Sequence, residues 1–194
     1  MARSNSLTPM LGTSSKGWRM KRIEIETKLN ENRVWILGQF EALSPDQLSQ
    51  PLTPSEHDPD NYWTALDHFA HLALIELNFA QMIRRHVAGD ENPVGLRIGK
   101  DGQPRSREQV MAGVHAMTDE FQRAHRGDNL SQVVALTASA RGETLRLLSE
   151  LSDEQLAEVL PGAPWEDGTV GGVLTANAGH GRMHWDWVRE AQAR

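Results

Sequence analysis

From Lys21 onward, apolar residues recur at helical steps: Ile25, Leu29, Ile36, Phe40 and Leu43 lie three, four or seven apart and share one face. Ser44 and Pro45 end this helix and open another turn, because serine caps a helix start and proline's fixed φ suits the first helical position. A loop through Pro51, Pro54, Pro59 and Asn61 follows. The spacing of Leu66, Phe69, Ala70, Ala73, Leu77 and Ala80, unbroken by glycine or proline, predicts a second long helix from about Trp63 to His86. Breakers crowd the stretch from Gly89 to Ser106, and within it Arg97 to Pro104 is the one segment that allows strand. Further helices are expected over Arg107 to His125, Ser131 to Glu150 and Thr169 to Ala193, the last with Thr169 as N-cap after Asp167 and Gly168. Nothing alternates at period two for long, so the fold class is all-α, a helical bundle.

The chain echoes itself. EALSPDQL closes the first helix and SELSDEQL the fourth, and each leads through a proline-containing loop into a helix that carries histidine. Leu43 and Leu151 are 108 residues apart and His71 and His180 are 109 apart, so two helix-loop-helix halves are expected to hold these histidines at equivalent places.

Composition narrows the chemistry. At 194 residues, one domain can bury a sizeable core unaided. Residues 1–20, rich in Ser, Thr and Gly and without periodicity, are expected to be a disordered tail, and 21–194 the folded domain. The absence of cysteine excludes thiolate nucleophiles, CxxC redox pairs and cysteine-ligated metals, which leaves nitrogen and oxygen to hold any ion. A formal charge of -6 lacks the basic excess of nonspecific nucleic-acid binding. No apolar run approaches the roughly 20 residues needed to span a bilayer. The expected setting is cytoplasmic, with neither nucleic acid nor membrane as partner.

Eight histidines are present, and three of them form the sharpest signal. His180 and His184 are four apart in AGHGRMHWDW and share a helix face; WTALDHFAHLALIE carries His68 and His71 three apart. On two antiparallel helices, an imidazole from the second helix and the pair from the last would converge on one divalent ion with positions left open. Chance alone supplies about 0.3 HxxxH pairs in a chain of this composition, so the pair gains weight only from its apolar helix. His57, His86, His115 and His125 read as surface or loop. Glu76 and Asp186 read as solvated acids, so no general base is assigned. Trp63 and Trp185 stand beside these histidines as candidate substrate-binding aromatics. HExxH, GxSxG and phosphate-loop patterns are all absent.

Trp63 followed eight residues later by His71, the C-terminal pair His180 and His184, and the LSxxxL turns together resemble the DinB-like superfamily of four-helix bundles. That superfamily includes YfiT-like and mycothiol-dependent maleylpyruvate isomerase domains. The resemblance runs from about Lys21 to Glu190 and implies a four-helix bundle, here with a long connection between helices two and three. Its tryptophan-to-histidine register selects His71 over His68, which makes His71, His180 and His184 the implied ligands of zinc or nickel. It further implies a transferase or isomerase that uses a low-molecular-weight thiol on a small electrophile, and allows a homodimer. A metal-dependent hydrolase and a non-catalytic binding bundle are the alternative readings. HWDWV after His184 departs from the more polar continuation of many members, which leaves the subfamily open.

Overall fold

The computed structural model describes residues 21–55, 58–96, 98–99 and 101–193. The expected tail, together with Trp18 and His57, lies outside the described residues. Among the described residues seven helices follow one another: α1 (Arg22–Glu41), α2 (Pro45–Ser49), α3 (Ala65–Val87), α4 (Arg107–His125), α5 (Leu130–Glu150), α6 (Asp153–Leu156) and α7 (Val170–Gln192). Their starts are set locally. Ser44, Thr64, Ser106, Asn129 and Ser152 each accept a hydrogen bond from the third helical residue's amide, and that residue's Gln or Asp side chain accepts the cap amide in return. Five reciprocal caps of this kind fix helix registers before any tertiary contact forms.

Two apolar cores stack along the bundle. Ile25, Leu29, Ile83, Leu147, Leu148, Val173 and Leu174 fill one; Ile36, Phe40, Phe69, Val133 and Val188 fill the other. Chain order through these cores gives the directions: α1 and α7 run from the first to the second, α3 and α5 the opposite way. The bundle is therefore up-down-down-up, with α1 packed on α7, α3 on both α5 and α7, and a lighter contact between α1 and α5. The helix expected third, α4, stands apart from these four and packs chiefly on α3. It forms part of the long connection from α3 to α5.

The echo is visible in the packing. LSPDQL and LSDEQL build the one-turn helices α2 and α6 through the same Ser–Gln cap, and exchanging the halves exchanges the α1–α7 contact for the α5–α3 contact. The histidines do not follow it. His71 stands seven residues after its cap Thr64, whereas His180 stands eleven after Thr169, so the two differ by about one helical turn. The expected equivalence fails because the loop from α2 to α3 is longer than the one from α6 to α7, so α3 starts later and reaches its histidine with four fewer helical residues.

Strand is sparser than helix, yet more than expected. A two-residue hairpin, β1 (Thr53–Pro54) with β2 (Tyr62–Trp63), pairs Thr53 with Trp63 immediately before α3. Trp63 thus belongs to the strand, and α3 begins at Ala65 rather than at Trp63. In the segment that allowed strand, Ile98 and Pro104 form a single bridge. Among the described residues no helix is long and apolar enough to cross a membrane.

Candidate metal centre

The site forms where α3 and α7 cross between the two cores. His68 and His71 lie in the first turns of α3, whose register is fixed by Thr64 and Asp67. His180 and His184 project from the middle of α7. The close approach of α7 to its neighbours is made by Gly181, where a Cβ would come within 3.2 Å of Asn32 Oδ1 and 3.4 Å of both Ile36 and Leu72. A side chain there would require these neighbours, two of them on α1, to give by a few tenths of an ångström.

His71, His180 and His184 each offer a ring nitrogen, and the three nitrogens lie within 4.8 Å of one another. His180 Nε2 and His184 Nε2 are 3.1 Å apart; the His71 ring is centred 4.8 Å from His184 and 5.9 Å from His180. Two imidazoles at about 2.0–2.1 Å from a shared ion keep their nitrogens roughly 3 Å apart. The spacing suits a common ligand as well as it suits a hydrogen bond.

Burial sets the charge of these rings. Loss of solvent pushes His68 and His180 down to about 4. His71 falls to about 3 through the same desolvation, aided by His180 and His68, and His184 falls well below its ordinary value by burial and then by its three histidine neighbours. At neutral pH all four are uncharged, with one lone pair each. Neutral imidazole is the form that ligates zinc, nickel or copper. His71 Nδ1 is buried and makes no hydrogen bond, so the donor set fits a borderline divalent cation held by nitrogen.

The cluster opens onto a cavity of about 460 Å³. Trp63 forms one wall, its ring centred 5.1 Å from His68 and 5.2 Å from His71. Ile75, Met111, Val114, Met183 and Trp187 make much of the rest. Trp185, the other expected aromatic, does not line it: one residue beyond His184 the helix has turned by about 100°, and Trp185 packs edge-on against Phe40 at 5.4 Å. Trp187, three residues beyond His184, takes that place at 4.8 Å from the His184 ring. His115, expected at the surface, lines the cavity from α4 together with Met111, Val114 and Thr118. Those four positions fall at i, i+3, i+4 and i+7, a stripe the sequence displays.

Glu76 also departs from expectation. It is 5% exposed and forms a buried ion pair with Arg141, on the side of α3 that faces α5 rather than solvent. Asp186 is exposed and pairs with Arg189, while His86 binds Glu158 and His125 binds Asp128, all away from the cavity. Behind His180, Asn32, Arg33, Glu76, Thr137, Arg141 and Asn177 surround a void of about 20 Å³, room for one water.

A family model described as the DinB superfamily matches residues 28–188. The chain belongs to the DinB superfamily. Among solved structures, the colibactin self-resistance protein ClbS in complex with a dsDNA aligns with TM-score 0.59 at 14% identity, over 89% of this chain and 96% of that one. An uncharacterised protein from Escherichia coli UTI89 aligns at 0.57 and 15% identity, over 89% and 92%. DfsB, a sibling lethal factor precursor, aligns at 0.57 and 13% identity, over 89% and 95%. These likenesses establish the DinB-like helical fold. No curated protein sequence matches the chain.

Proposed function

We propose that this DinB-superfamily chain is a metal-dependent transferase, or a related isomerase, that joins a low-molecular-weight thiol to a small apolar electrophile. The observation that carries the reading is the convergence of three uncharged imidazoles, nitrogens within 4.8 Å, at the wall of a cavity of about 460 Å³. His71, His180 and His184 would hold zinc or nickel. When bound, such an ion supplies Lewis acidity that lowers the pKa of a thiol or water at an open position.

The remaining work falls to the chain itself. Trp63 and Trp187 flank the imidazoles and orient a flat or apolar acceptor between them. Ile75, Met111 and Val114 exclude water from the far wall, which keeps a competing hydrolysis low. With no cysteine anywhere in the sequence, the sulfur nucleophile has to come from outside. The net charge of -6 favours a small-molecule partner over nucleic acid.

The test is metal content by elemental mass spectrometry followed by thiol conjugation to 1-chloro-2,4-dinitrobenzene, in which sulfur bonds to the ring carbon and chloride leaves. One equivalent of zinc or nickel and metal-dependent conjugation with at least one cellular thiol are expected, both lost in His180→Ala. Conjugation that proceeds equally well in the variant overturns the proposal. Metal without conjugation but with ester cleavage moves the reading to a hydrolase; neither metal nor turnover moves it to a binding bundle.

A further inference from the structure

His68 is the imidazole that the three-ligand set leaves over. It is 3% exposed, its Nδ1 lies 3.0 Å from Nδ1 of His184, and its Nε2 lies 2.8 Å from Thr53 Oγ1. Between two Nδ1 atoms at that distance, one must carry a proton and the other a lone pair. The proton positions along Thr53, His68 and His184 are therefore coupled, and there are two consistent arrangements.

In the first, His184 carries its proton on Nδ1 and donates it to His68, which carries its own on Nε2 and donates to the Thr53 hydroxyl. His184 Nε2 then presents a lone pair toward His180 and His71. In the second every donor is reversed: Thr53 donates to His68 Nε2, His68 Nδ1 donates to His184 Nδ1, and His184 Nε2 holds a proton that would repel a cation. A hydroxyl both donates and accepts, so Thr53 supports either arrangement equally. Only the first is compatible with an ion.

We propose that His68 is the positioning residue of the metal centre: it accepts the Nδ1 proton of His184, fixes that ring's tautomer and plane, and leaves Nε2 to the cation, while Thr53 on the hairpin holds His68 in turn. The proposal rests on the three-histidine metal reading. An outer partner of a histidine ligand is commonly a carboxylate or a carbonyl. A neutral imidazole in that role adds no negative charge, so the bound cation keeps its full charge toward an incoming nucleophile.

The experiment is zinc affinity by competition against a chromogenic chelator for wild type, His68→Leu, His68→Asn, Thr53→Val and His71→Ala, with folding checked by circular dichroism. Removal of an outer partner typically costs about 10–100-fold in metal affinity, and that loss is expected in His68→Leu. His68→Asn, whose side-chain oxygen can stand near the lost Nδ1, is expected to recover most of it; Thr53→Val should fall between. On the zinc-loaded wild type, nitrogen-15 imidazole spectra should show His184 protonated at Nδ1 and metallated at Nε2, with His68 unmetallated. Wild-type affinity in His68→Leu, with loss in His71→Ala, overturns the role of His68 alone. Zinc on a His68 nitrogen overturns it by making His68 a ligand, and no stoichiometric zinc on wild type overturns the metal reading and this proposal together. If His68→Leu fails to fold, the wild-type spectra decide.

Discussion

Glu76 on α3 and Arg141 on α5 form an ion pair between the two apolar cores, with only 6% and 9% of the two side chains exposed. Arg141 donates a further hydrogen bond to the Leu29 carbonyl of α1, so the pair joins three of the four bundle helices. Removing one partner strands a charge away from water, which costs about 3–5 kcal/mol in comparable sites. Glu76→Leu or Arg141→Leu alone should lower the urea unfolding free energy by that order, and the double variant should lose less than the two combined. A loss under about 1 kcal/mol in both single variants would contradict this account of the pair.

Acid should weaken the metal-free protein before its carboxylates titrate. Each of the four site histidines has a folded-state pKa below its ordinary 6.5: burial pushes His68 and His180 down to about 4, His71 down to about 3, and His184 well below its ordinary value. The unfolded chain therefore takes up protons first as pH falls below 6.5, and the unfolding free energy rises with pH across the window from about 4 to 6.5 and levels off above it. In chelator, the melting temperature should drop steadily from pH 7 to pH 5, with a shallower slope in His71→Leu. A flat profile over that range would show that these rings are not held neutral by burial.

The two C-terminal tryptophans should separate stability from binding. Trp185 packs on Phe40 within the second core, and Trp185→Ala should cost about 3 kcal/mol with apolar-probe affinity unchanged. Trp187, 38% exposed at the cavity wall, should show the reverse: little change in melting and a several-fold weaker uptake of a hydrophobic fluorophore. Equal effects from the two variants would count against the cavity as the binding site.

Much of this architecture was readable from one sequence because it is encoded locally. The caps at Ser44 and Thr169, the breakers around Gly95 and Gly102, and the periodic faces of α1 and α3 each act over a few residues. The approach of His71 to His180 and His184 followed from their helix faces and from the family register, and the cluster geometry agrees with it. What escaped depends on partners distant in sequence. Glu76 is buried because Arg141, 65 residues away, meets it, and nothing near Glu76 announces that. Trp63 left the helix because Thr53 pairs with it across a loop. His68 gained its contact from a threonine in the same hairpin, and α4 became a cavity wall instead of a bundle helix because its principal neighbour is α3.

That placement of α4 divides the site into parts that can change independently. The imidazoles sit on helices locked into both cores, so few substitutions there are tolerated. Met111, Val114, His115 and Thr118 sit on a helix that leans mainly on one neighbour, where exchanging a side chain reshapes the cavity without touching the cluster. A lineage built on this scaffold can therefore trade one occupant for another by editing a single helix face, while the histidines that define the centre stay where they are.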